Sequence, residues 1–95
     1  MSGRQMKISF SDRGFDDLLK LLEEQPKLAR KLARLLREIR KHPFTGTGKP
    51  EPLKHELAGW WSRRINQEHR LVYRVVTLED GQQVCEVVQC YYHYQ

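Results

Sequence analysis

Apolar positions along the chain recur with two periods. Lys7–Phe10 alternates polar and apolar side chains, which predicts a short first strand. Ser11 or Asp12 then suits a helix N-cap, and Phe15, Leu18, Leu19 and Leu22 follow at i, i+3, i+4 and i+7. Gly14 weakens the first turn of that helix. Gln25-Pro26 interrupts the pattern, and Pro26 fits the first turn of a second helix. There Leu28, Leu32, Leu35 and Ile39, broadened by Ala29 and Leu36, form a stripe that belongs to the core. The segment PFTGTGKPEP, residues 43–52, has three prolines and two glycines and predicts a stiff loop. Strand-like segments cover 53–57, 60–66, 69–77 and 84–92, and Glu79-Asp80-Gly81-Gln82 is a two-residue hairpin signal. The order β-α-α-β-β-β-β predicts an α+β fold, an antiparallel sheet with two helices packed on one face.

Period-2 alternation also assigns faces. In 60–66 one face holds Trp61, Arg63 and Ile65, and the other Trp60, Ser62, Arg64 and Asn66. In the next strand Leu71, Tyr73 and Val75 oppose Arg70, Val72 and Arg74. The two apolar sets must share the core, which requires an odd-length connection such as Asn66-Gln67-Glu68. Arg64 then lies directly across from Arg70. Like charges facing each other on a sheet are destabilising, so an anionic visitor is the functional reading of the pair. Pairing Glu79 with Gln82 puts Val87, Gln89, Tyr91 and His93 on the arginine face, and Val88, Cys90 and Tyr92 in the core. Trp60 and Tyr91 become stacking planes for bases. Parity leaves open whether Glu51 and Lys54, from the stiff loop and the strand after it, reach the same place.

Composition narrows the classes. At 95 residues the chain is one domain, 1–95, with residues 1–5 read as an extension or tag remnant. No apolar run approaches the roughly 18 residues of a membrane span, and the N-terminus lacks the apolar stretch of a signal peptide. Cys85 and Cys90 are expected on opposite faces of one strand and unpaired, which fits a reducing cytoplasmic setting. A net charge of +5 and a pI of about 9.5 favour a polyanionic partner. The second helix concentrates that charge: Lys27, Arg30, Lys31, Arg34, Arg37, Arg40 and Lys41 stand against one acid, Glu38. That face is either plainly solvated or a docking surface for RNA or an acidic partner.

The candidate site combines a carboxylate, an imidazole, two guanidiniums and an amine. The sequence has no metal-ligand spacing, no serine or thiol nucleophile arrangement and no cofactor motif. GTGKPEP lacks the ending of a phosphate-binding P-loop and precedes a strand. Metal-free RNA cleavage needs such a set: a base for the 2′-OH, an acid for the 5′-oxygen, and cations around the phosphorane. Glu51 suits the base, His93 the acid, and Arg64 and Arg70 the phosphate clamp. Each residue also has a blander reading: Glu51 as a surface carboxylate, His93 as a terminal residue, Lys54, His55 and His69 as surface groups, and Arg64 beside Arg63 as part of a charged edge.

The run GKPEPLKHELAGWWSRRINQEHRLVY, residues 48–73, together with the terminal Tyr-His-Tyr, resembles the YoeB/Txe toxins of the RelE superfamily. The resemblance extends from about Met6 to Tyr94. It implies the RelE-like fold, an endonuclease that cleaves mRNA in the A site of the 70S ribosome, and inhibition of translation. It implies a cognate YefM/Phd-type antitoxin, a toxin–antitoxin complex on operator DNA, and a homodimer. The catalytic set it implies is Glu51, Lys54, Arg64, Arg70, His93 and Tyr94; the RNA-facing set, Trp60 and Tyr91 with the helix residues Arg30, Lys31, Arg34, Arg37 and Lys41, is read from alternation and charge. Relatives commonly carry a basic residue where Tyr91 stands, often phenylalanine at Trp60, and tend to stop before Gln95. Two alternatives stay open: a non-catalytic RNA- or DNA-binding module, and a RelE-fold toxin with another target such as gyrase.

Overall fold

A computed structural model describes residues 4–92. The elements run β1 (Lys7–Phe10), α1 (Asp12–Glu24), α2 (Pro26–Lys41), β2 (Glu51–Pro52), β3 (Trp61–Arg64), β4 (Arg70–Thr77) and β5 (Gln83–Gln89), with a single 3₁₀ turn at His55–Leu57. The sheet order is β1-β5-β4-β3-β2. Its four later strands are antiparallel as expected, but β1 runs parallel to β5, so the sheet is mixed. The α1–α2 hairpin carries the chain from β1 at one edge to β2 at the other, and β3 and β4 then bring it back, so the last strand lies parallel beside the first.

Ser11 caps α1, its hydroxyl accepting from the Gly14 N–H, while the Ser11 N–H donates to the Val87 carbonyl. These bonds press the first turn of α1 onto β5. A Cβ on Gly14 would lie 2.5 Å from the Val87 oxygen, so glycine is required by the close approach. This contact also sets the rotation of the helix. Leu21 is buried and Leu18 packs on the core, whereas Phe15, Leu19 and Leu22 are left about half exposed, contrary to the stripe read from the sequence. Helix α2 begins with Pro26 in its first turn and buries Ala29, Leu32, Leu35 and Ile39 against Leu71, Tyr73, Cys85 and Val87.

Three strand assignments change. Residues 53–57 do not continue a strand; β2 has only Glu51–Pro52, and the chain turns back through His55–Leu57 so that the Leu53 N–H reaches the Trp60 carbonyl. Pro52, without an N–H, belongs on such an edge. The β4–β5 tip is wider than a two-residue turn: Leu78 N–H bonds to Gln82 O, and Thr77 rather than Glu79 opens the ladder, opposite Gln83. A bulge then corrects the register, with Tyr73 facing Val87 but Val72 facing Gln89, so that Val88 is the extra residue. The wider tip, not the bulge, sets Val87 opposite Tyr73 and so in the core rather than on the arginine face. The bulge turns Cys85 and Cys90 to the same side; both are buried in one cluster as free thiols.

Candidate active site

Arg64 pairs with Arg70 across β3 and β4, as parity required. The connection has the expected odd length, and its turn is built by Asn66, whose Oδ1 accepts from the N–H groups of Glu68 (2.8 Å) and His69 (2.6 Å). Among the described residues the Arg64 side chain makes no hydrogen bond or ion pair and is exposed. Arg70 differs. Its Nη1 donates to the carbonyls of Asn66, Gln67 and His69 at 2.8–3.3 Å, closing the turn beneath it.

Glu51 faces Ser62 on β3. Directly paired residues share a face, and Ser62 shares its face with Arg64 two residues on. Glu51, Arg64 and Arg70 therefore lie on the sheet face away from the helices, one on each of three adjacent strands. Glu51 and Arg64 are diagonal neighbours, a relation that places such residues about 7–8 Å apart. Ser62 and Val72, both buried, form the floor between them. Glu51 and Lys54 also line a cleft of about 390 Å³ with Pro52, Leu53 and His55. His93 and Tyr94 lie outside the described residues.

Trp60 is half buried on this face, with the Arg74 guanidinium 4.6 Å from its ring centroid and Arg74 tethered to Glu86 at 2.7 Å. Tyr91 is not on this face. Past the bulge it turns toward α1, donates its hydroxyl to Glu24 at 2.6 Å and lies under the Lys20 ammonium. That carboxylate pushes its phenol up to about 12, so the hydroxyl stays a donor. Tyr92, expected in the core, is half exposed. On α2, Arg30, Arg34, Arg37 and Lys41 are exposed and Lys31 half buried, while Arg40 turns inward to donate to the Met6 carbonyl.

Two residues carry more than the sequence reading gave them. His69 is buried, not a surface group; its Nδ1 accepts from the Tyr92 N–H at 2.7 Å and its ring packs on Tyr91. Arg63 is fully buried on the core side of β3, where it donates to Tyr73 Oη, Glu38 and the carbonyls of His42, Thr45 and Thr47. Alternation had put Arg63 beside Trp61 and Ile65; that was the available signal. Glu38 also accepts from the Thr47 N–H (2.8 Å) and hydroxyl (3.1 Å). The Thr47 N–H above all, with Arg63 beside it, holds the Glu38 carboxyl below its ordinary range. Burial raises the Tyr73 phenol.

A small α+β domain with two helices packed on a five-stranded mixed sheet is the fold of a group of bacterial toxins. Residues 10–94 match the family model described as YoeB-like toxin of bacterial type II toxin-antitoxin system. Toxin YoeB of Escherichia coli (strain K12) is 45% identical over 89 residues, 94% of this chain and 100% of that protein. A YoeB/ParE toxin from Agrobacterium tumefaciens superposes with a TM-score of 0.87 at 43% identity, covering 94% and 100% of the two chains. Staphylococcus aureus YoeB, solved as a dimer, gives a TM-score of 0.80 at 38% identity, covering 96% and 100%. In a heterotetrameric YoeB–YefM toxin–antitoxin complex it gives 0.78 at the same identity and coverage. The chain belongs to the YoeB toxin family of type II toxin–antitoxin systems.

Proposed function

We propose that this toxin is a ribosome-dependent endoribonuclease that inhibits translation by cleaving mRNA in the A site. The observation that carries the reading is the placement of Glu51, Arg64 and Arg70 on one open sheet face across three adjacent strands. Glu51 removes the proton of a 2′-OH, whose oxygen attacks the adjacent phosphorus. Arg64 and Arg70 balance the charge that grows on the phosphorane, and Lys54 adds to the same field. His93 protonates the departing 5′-oxygen, with Tyr94 beside it in sequence. The substrate supplies the nucleophile, so the site needs none from the protein, and its one serine, Ser62, is buried in the floor.

A shallow site on a small domain gains from a partner that orients the message. The exposed cations of α2 (Arg30, Arg34, Arg37 and Lys41, with Lys31) suit a docking surface on ribosomal RNA, a dense polyanion. Trp60 offers an aromatic surface to RNA near the site. Activity on ribosomes places the protein in the cytoplasm. No helix among the described residues is long and apolar enough to cross a membrane. A YefM/Phd-type antitoxin, a toxin–antitoxin complex on operator DNA and a homodimer complete the reading, the antitoxin and the dimer in line with the Staphylococcus aureus relative.

The test is cleavage of programmed 70S ribosomes followed by end mapping. The expected products are A-site cuts with 5′-hydroxyl and 2′,3′-cyclic phosphate ends, and E51Q lowers the rate by a factor on the order of 10²–10⁴. Intact message, or 5′-phosphate ends that indicate attack by water, overturns the mechanism.

A further inference from the structure

The guanidinium of Arg63 has five N–H donors, and all of them are taken. Nε donates to Tyr73 Oη (3.2 Å), Nη1 to Glu38 and to Thr47 O (3.1 Å), and Nη2 to His42 O (2.6 Å) and Thr45 O (2.8 Å). Three of these acceptors are carbonyls of the connection between α2 and β2. Tyr73 adds a fourth tie to the same segment by donating to Pro43 O at 2.6 Å. Glu38, reaching from α2, holds Thr47 at both its N–H and its hydroxyl. Immediately beyond, the Arg64 N–H bonds to Gly48 O at 2.6 Å, and a Cβ on Gly48 would lie 3.2 Å from the Arg63 Cβ. Three residues later Glu51 pairs with Ser62.

Strand β2 has two residues, one of them Pro52, and Pro50 precedes it, so two backbone donors are missing beside Glu51 and its own ladder holds Glu51 weakly. The register of Glu51 is therefore fixed upstream. We propose that Arg63 is a positioning residue for Glu51, its buried guanidinium gathering residues 42–47 so that the chain leaves Gly48 in the register that sets Glu51 beside Arg64. Arg63 sits on the side of β3 away from the site and touches no substrate. It acts by way of the loop. The proposal rests on reading Glu51 as the general base.

The experiment pairs amide exchange with kinetics in Y73F, which removes only the hydroxyl between Arg63 and Pro43, and R63K, which keeps the charge but loses the fork. Y73F guards against a failure of R63K to fold. Exchange in the segment 44–52 is expected to rise about tenfold in Y73F, the effect of losing one or two buried hydrogen bonds. The β4–β5 amides stay protected. In ribosome-dependent cleavage kcat falls, on the order of 10²-fold for a displacement near 1 Å, while KM for programmed ribosomes holds because α2 is untouched. In the E51Q background, Y73F and R63K have no further effect on kcat. Unchanged exchange in 44–52, or losses that multiply with E51Q, overturn the proposal. Should E51Q cleave like the wild type, the assignment of Glu51 falls, and the exchange data then show separately whether the clamp holds the loop.

Discussion

Three arginines within eight positions should respond to the same substitution in three different ways. Consider arginine to glutamine at 63, 64 and 70, one at a time. At Arg64 two exposed terms nearly cancel. Relief of repulsion from Arg70, for unit charges about 6 Å apart in a water-like dielectric, gains about 0.7 kcal/mol. Loss of attraction to the diagonal Glu51, about 7–8 Å away, costs about 0.5 kcal/mol. For a domain of this size the melting temperature then moves by no more than about 2 °C. At Arg70 the same relief of repulsion is outweighed by the loss of a charged donor from the carbonyls of Asn66, Gln67 and His69, a net cost of about 1–2 kcal/mol. At Arg63 a partly exposed carboxylate partner and three carbonyls lose a fully buried charged donor, several charge-assisted hydrogen bonds at a cost of about 3–5 kcal/mol, or at least about 12 °C. Activity on programmed ribosomes should not follow that order, because R64Q, the mildest for stability, removes a cation from the phosphate and costs about 10²–10³-fold. Circular dichroism melts and cleavage rates on the same preparations decide it. An R64Q protein that melts as low as R63Q, or that cleaves like the wild type, refutes the division of roles.

Other consequences follow from single contacts. Gly14→Ala gains helix propensity but drives a Cβ against the Val87 carbonyl, so the denaturant midpoint should fall, with a net loss of about 1–3 kcal/mol. Burial pushes the Cys85 and Cys90 thiols up to about 12, so a thiol reagent at pH 8 should label neither until the protein unfolds, and reductant should leave the melting temperature unchanged. Glu38 is held below its ordinary value of 4.5, so its contribution is present above that pH and is lost as pH falls through the depressed folded value. E38Q should melt lower than the wild type at pH 7, and the gap should close below pH 4.5 in a melting series from pH 3 to 8.

Period-2 alternation was enough to find Arg64 opposite Arg70, because one-residue slips there would turn every side chain of two strands to the wrong face. The three-residue connection between them is legible for a local reason: Asn66 builds the turn with its own side chain. Glu51 had no such support. A two-residue strand has no period, and its face is set by bonds from Arg63, Glu38 and Tyr73 that come from far along the chain. The wide β4–β5 tip moves Val87 and Cys85 to the core; the bulge at Val88, with no glycine or proline to mark it, then keeps Cys90 on the same side before the chain leaves β5 and Tyr91 turns to α1. The direction of β1 was equally silent, since four alternating residues fit a parallel or an antiparallel neighbour. Arg63 was half legible: alternation placed it on the core face, but an arginine is so rarely buried that the side chain read as surface charge.

The dipeptide Arg63-Arg64 shows why register matters more here than composition. The two side chains are chemically identical and point to opposite faces of one strand. One meets Glu38 and four neutral oxygens in a dry interior and organises the loop that carries Glu51. The other is exposed, on the residue paired with Arg70 across the sheet. Slipping β3 by one residue against β4 would keep both charges and lose both functions, because the carbonyl cage would face solvent and the exposed pair would be broken. The Asn66 turn on one side and the Gly48–Arg64 bond on the other guard against that slip. A one-residue insertion between Asn66 and His69 should therefore damage the fold through Arg63 and cleavage through Arg64 at once. Point substitutions at the two positions separate those losses.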